Sequence, residues 1–96
     1  MNSVTVYLKH PLFSLRGEKD PMPNGAVVIE GSLLEAPKGG ICLKAERYFS
    51  VEKSPIGAFE ELKELEGPSL DLFLPTSKID HMRFNTGYPY TDAAQS

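Results

Sequence analysis

The stretch "LDLFLPTSKIDHM", Leu70 to Met82, decides how this chain is read. Leu70, Leu72 and Leu74 alternate with Asp71 and Phe73, the period of two that sends successive side chains to opposite faces of a strand. Pro75 interrupts the run, since a proline has no N–H to give to a ladder. A second apolar run then resumes at Ile79 and takes in Met82 and Phe84, leaving no room for a hairpin of ordinary length.

Upstream, three stretches share the same period. In "SVTVYLK", Val4, Val6 and Leu8 fall on one face and Thr5, Tyr7 and Lys9 on the other. In "AVVIEGSLLE", Val27, Ile29 and Leu33 share a face across Gly31, a residue that lets a strand bend sharply or another backbone come close. In "GICLKAERYFSVE", Ile41, Leu43, Ala45, Phe49 and Val51 are set against Cys42, Lys44, Glu46, Tyr48 and Ser50. The six residues "EAPKGG" suit a tight antiparallel hairpin between the second and third strands. The prolines and the Asn24-Gly25 pair of residues 10–25 predict a long loop or arm that delivers the chain into the second strand.

"SPIGAFEELKELEGP" reads as a short helix over residues 54–66, inserted before the fourth strand. Ser54 caps it, Pro55 fits its first turn, and Gly67 and Pro68 end it. Ile56, Phe59, Leu62 and Leu65 recur every three residues, with Glu60, Glu61, Glu64 and Glu66 as a solvated face. Residues 86–96 have too few apolar side chains to build structure of their own and predict a loosely held tail. The expectation is one domain over residues 1–85, mainly β, with strands in antiparallel order.

Ninety-six residues bury a modest fraction of their surface, so partners would help such a chain. A single cysteine, Cys42, allows no internal disulfide and no Cys-x-x-Cys pair. No basic leader with an apolar core opens the sequence, and no run approaches about 20 apolar residues. A cytoplasmic protein without a membrane span is expected. Net charge is −3, with seven Lys/Arg against six Asp/Glu in residues 1–53 and three against seven in residues 54–96. A broad basic face for tracking phosphates is absent, although a local site is not excluded.

These blocks resemble the Sm-like family, which includes the Sm and LSm proteins and bacterial Hfq. "VTVYLK" and "VIEGSLLEAPKGGICLKAE" are similar to its first sequence block, and "FLPTSKIDHM", from Phe73 to Met82, keeps the spacing of its second. The resemblance implies a small, strongly bent five-stranded antiparallel barrel, SH3-like in form. The gap after Pro75 then becomes a one-turn corner where the fourth strand swings into the fifth. An N-terminal helix common in the family is missing, the loop after the first strand is long, and the loop before the fourth strand carries the helix. Small phage-encoded Sm-like proteins are the subgroup expected for so divergent a member.

The family also implies a cyclic homo-oligomer of about five to seven subunits, the fourth strand of one subunit pairing with the fifth of the next. Leu70, Leu72, Phe73, Leu74, Ile79, Met82 and Phe84 are the candidate interface residues, because a double-sided apolar edge suits burial by core and neighbour together. Burial of Phe73 and Phe84 beneath the inserted helix is the monomeric alternative. RNA-binding members carry Asp, a stacking residue and Asn on the turn after the second strand, and Arg-Gly on the corner. Here the turn is "EAPKGG" and the corner is Pro75-Thr76, so a uracil-type pocket has no counterpart. What remains for single-stranded RNA is Lys38, Gly39, Gly40, Thr76, Ser77 and Lys78, offering cations, amides and hydroxyls.

No catalytic, metal or cofactor motif is present. Asp80-His81 with Cys42 or His10 has no spacing of a nucleophile and its base, and two histidines about 70 positions apart give no metal prediction. An Sm-like ring binding single-stranded RNA without catalysis is the leading expectation. A structural or protein-interaction ring that binds no nucleic acid is the alternative, and a peptide-binding SH3-like monomer is a third.

Overall fold

The computed structural model describes residues 2–15, 17, 19, 22–53 and 60–85. It forms one antiparallel sheet of six strands: β1 (Asn2–Leu8), β2 (Val28–Glu35), β3 (Gly40–Lys53), β4 (Glu60–Leu65), β5 (Leu70–Pro75) and β6 (Ile79–Phe84). The order is β4-β3-β2-β1-β6, and β5 pairs with the first half of β3. The sheet does not close into a barrel. No helix among the described residues is long and apolar enough to cross a membrane.

β1 follows its sequence pattern. Val4, Val6 and Leu8 face the core, and each fully buried aliphatic side chain contributes about 1.5–3 kcal/mol. From β2, Ile29 joins them, while Gly31 lies against the backbone of β3 so closely that a Cβ there would overlap the Lys44 carbonyl. The close approach expected at that glycine is therefore present.

Just beyond Gly31 the register of β2 and β3 shifts. Gly31 pairs with Ala45 but Glu30 pairs with Arg47, so Glu46 is an extra residue on β3. Such a bulge bends the strand and reverses which side chains point inward. Ile41, Leu43 and Ala45 face the core as expected, but beyond the bulge Tyr48 turns inward and is fully buried. The assignment of Tyr48 to the polar face is thus corrected. Phe49 and Val51 pass to the opposite face, where Phe49 lies beneath the Arg47 guanidinium, 5.1 Å from the ring centroid. The buried Tyr48 hydroxyl is satisfied by donating to the Pro68 carbonyl at 2.8 Å.

The expected helix over residues 54–66 is also corrected. Its second half, Glu60–Leu65, is strand β4, paired with Tyr48–Lys53; residues 54–59, which hold the expected cap and first turn, lie outside the described residues. A spacing of three puts Leu62 and Leu65 on one face of a helix but on opposite faces of a strand. Leu65 accordingly sits opposite Tyr48 and packs on the core, whereas Leu62 sits opposite Val51 and is exposed. Of the glutamates, Glu64 gains a cross-strand partner that a helix would not offer. Arg47 donates to both oxygens of Glu64, at 2.9 and 3.1 Å, and to Glu30 at 3.1 Å; Lys63 meets Glu52 at 3.5 Å. The hydrogen bonds from Arg47 hold the Glu64 carboxyl below its ordinary range. Pairing of the outer half of β3 overrides local helix preference.

The arm after β1 runs back along the chain entering β2. Leu12 donates to the Ala26 carbonyl and accepts from Gly25, both at 2.8 Å. Ser14 N–H donates to the Asn24 side chain at 2.8 Å, and the Asn24-Gly25 turn leads into β2 as its sequence implies. The expected tail, 86–96, lies outside the described residues.

Two measurements check this account. Gly31→Ala forces the Lys44 carbonyl aside and is expected to cost about 3 kcal/mol, read as a fall of more than about 10 °C in melting temperature. For Tyr48, burial raises the phenol above its ordinary 10.0. Its contribution is therefore complete below pH about 10 and is lost as pH rises through the folded-state value. Tyr48→Phe is expected to lose about 1 kcal/mol at neutral pH and to show a shallower decline in urea midpoint above pH about 10 than the parent chain.

Candidate nucleic-acid interface

The β2–β3 turn and the β5–β6 corner are far apart in sequence but adjoin in space, because β3 and β5 pair from Gly40↔Pro75 to Ala45↔Leu70. At the turn, Gly39 has φ +90, a conformation glycine adopts without a Cβ penalty, and Gly40 N–H donates to the Pro37 carbonyl at 3.2 Å. At the corner, Pro75 keeps extended backbone at φ −66, and Thr76–Lys78 make a single 3-10 turn. The interrupted strand is resolved there: Ile79 N–H closes the turn on the Thr76 carbonyl and begins β6. Thr76 N–H then donates to the Gly39 carbonyl at 2.9 Å, locking the two loops together.

All six candidate RNA-binding residues are thus brought to one region, but not all can serve. Lys38, Gly39, Thr76, Ser77 and Lys78 are exposed; Gly40 is buried, and its amide is already used within the turn. The Thr76 amide is likewise used. The surface therefore offers two ammonium groups and two hydroxyls rather than a row of amide donors. Among the described residues neither Lys38 nor Lys78 takes part in an ion pair, whereas Arg47, Lys63 and His81 each have a carboxylate. Lys9 N–H donates to the Lys78 carbonyl at 3.0 Å and ties the corner to the end of β1.

The candidate interface residues divide by depth. Leu74 is buried in the core, so only its backbone can meet another chain. Leu70, Leu72, Ile79, Met82 and Phe84 are half-buried, and Phe73 is 54% exposed. A helix covering Phe73 is therefore not what the described residues form. β5 pairs in the sheet with β3 and β6 with β1, which places both strands at its margins. Asp80 and His81 meet at 3.1 Å, and the His81 ring stacks on Tyr7 at 4.2 Å. Cys42 pairs with Phe73 on β5. No group of three or more His, Cys, Asp or Glu side chains that could hold a metal occurs among the described residues.

One feature was not legible in the sequence. A groove of about 310 Å³ opens between the arm and β5, lined by Pro11, Leu12 and Phe13 on one side and Leu72, Phe73 and Pro75 on the other. Among the described residues, His10 and Lys78 are its ionisable lining residues. Phe13 carried the only hint, an aromatic residue in a proline-flanked loop, and nothing in its spacing says which strand it will face.

No family model matches the chain, and no curated protein or solved structure matches it either.

Proposed function

We propose that this chain is a non-catalytic Sm-like subunit that joins copies of itself into a ring and holds single-stranded RNA at the surface made by its two linked loops. The observation that carries the reading is the hydrogen bond from Thr76 N–H to the Gly39 carbonyl, 2.9 Å, which makes one surface of Lys38, Gly39, Thr76, Ser77 and Lys78. Two uncompensated ammonium groups and two hydroxyls on a rigid support suit phosphate oxygens, which take charge-assisted hydrogen bonds. The order β5-β3-β2-β1-β6 and the single-turn corner support the Sm-like likeness, with β4 as an addition. β5 and β6 at the margins support assembly, since strand edges pair with another chain unless they are covered. Repetition around about five to seven subunits would set the same loops side by side and multiply weak individual contacts.

A second reading has its own support. The exposed Glu61, Glu64 and Glu66 and the net charge of −3 favour a ring that binds a protein and no nucleic acid.

Light scattering on a sizing column is expected to give a mass several times 10.6 kDa, and a 10.6 kDa peak overturns the ring. Short U-rich and A-rich RNAs are expected to bind the same peak at low ionic strength. Replacing both Lys38 and Lys78 by Ala should flatten the dependence of log affinity on log salt by about 1.4, at about 0.7 for each phosphate contact. Absence of salt-dependent binding leaves the protein-binding ring in its place.

A further inference from the structure

The Asn24-Gly25 turn has a covalent chemistry of its own. In water the Gly25 backbone nitrogen can lose its proton and attack Cγ of the Asn24 side chain, since glycine sets no Cβ in the way. The new N–Cγ bond closes a succinimide, the Cγ–Nδ2 bond breaks, and the side-chain nitrogen leaves as ammonia with the proton that Gly25 gave up. Water then opens the ring. Addition at Cγ leaves aspartate in an unaltered chain, whereas addition at the backbone carbonyl leaves isoaspartate, whose main chain runs through the former side chain and is longer by a methylene. Nothing is oxidised or reduced, and water is the co-reactant.

Both reacting groups are held by the arm. Gly25 N–H donates to the Leu12 carbonyl at 2.8 Å, so the nitrogen keeps the proton it would have to lose. Asn24 Oδ1 accepts from Ser14 N–H at 2.8 Å, which ties the side-chain amide to the arm. A donor on Oδ1 would also stabilise charge developing there, but that help is unusable until Gly25 is released. The turn itself is anchored separately, with Ala26 fully buried and Pro23 packed so closely on Gly67 that a Cβ there would lie 2.6 Å from its ring. The arm is the lighter attachment. Leu12 is half-buried against the core, and Phe13 and Leu15 are exposed. Segments with few buried apolar contacts open locally, ahead of the strands.

We infer that Asn24-Gly25 is a site of spontaneous conversion to aspartate and isoaspartate, protected while the arm is docked and reactive when it lifts. Asn24 is exposed, so water reaches the site. The isoaspartate product displaces Gly25 N–H from the Leu12 carbonyl, and the arm cannot return to its place. Each lifting thus carries a chance of becoming permanent. The inference is independent of the RNA reading.

The test follows the peptide spanning Asn24 by mass spectrometry, through its gain of about 1 Da, in the full chain at one pH and temperature. The native chain is expected to convert at least about tenfold more slowly than the chain unfolded in guanidinium. Equal rates overturn the protection. Leu12→Ala trims the arm's contact with the core and is expected to raise the native rate about tenfold without changing the unfolded one, a melting curve showing that the variant is folded. A folded Leu12→Ala chain that converts at the parent rate overturns the role of the arm. Hydrogen exchange on the unmodified chain needs no variant: the amides of Leu12, Ser14 and Gly25 are expected to exchange together and ahead of those of β1 and β2. Exchange only with those strands overturns separate lifting. Chains carrying isoaspartate are expected to lose protection at Leu12 and Ser14, whereas Asn24→Asp, which keeps an acceptor and the normal chain, retains it. Isoaspartate chains protected like the parent overturn the permanent release.

Discussion

The close passage of β2 over β3 at Gly31 is the constraint on which the rest of the architecture depends. With no side chain at that position, the β2 backbone settles against the Lys44 carbonyl, and the extra residue Glu46 takes up the change of register beside it. The bulge reverses the facing of β3, turning Tyr48 into the main core and Phe49 to the other face, where it is buried beneath Arg47. It also divides one edge of a 14-residue strand into two sections, the first paired with β5 and the second with β4. A straight strand would offer a single ladder to a single neighbour. The bent one brings β5, and with it the corner, to the β2–β3 turn.

That arrangement gives the candidate site its stiffness. The Gly39 carbonyl, the Thr76 amide and the Gly40↔Pro75 pairing hold the two loops as one unit, so Lys38 and Lys78 project from backbone already committed to hydrogen bonds. Fixing the loops costs amide donors: Gly40 and Thr76 spend theirs within the fold. On the proposed reading, phosphate contacts come from side-chain charge and hydroxyls, which salt screens more than a cradle of buried amides.

The outer part of β3 and β4 is held differently. Among its described side chains Tyr48 and Leu65 pack on the main core and Phe49 is buried on the other face, and its cross-strand order is helped by Arg47 with Glu64 and Glu30 and by Lys63 with Glu52. These pairs are exposed, and such pairs contribute only modestly to stability. Their effect is on register, because a slip by one residue would turn Glu64 toward the core face and Leu65 toward solvent.

Sequence by itself determined the strands whose alternation is unbroken: Val4-Val6-Leu8 in β1, Ile41-Leu43-Ala45 at the start of β3, and Leu72-Leu74 in β5. It also determined the hairpin at "EAPKGG", the Asn24-Gly25 turn and the stop at Pro75. In each case a local rule, period two or a backbone restriction, is sufficient. Tertiary structure alone decided the phase of β3 after Glu46, because a bulge is a relation between two strands and leaves no mark on the period of either one. It alone made Glu60–Leu65 a strand, since a three-residue spacing and a run of good helix formers lost to the open edge of β3. It alone placed Phe13 opposite Phe73: the arm has no periodic pattern, and its position comes from hydrogen bonds at Leu12 and Ser14 to residues 22–26. Local chemistry names the elements of this chain, while contacts between distant backbones decide which side chains share a surface.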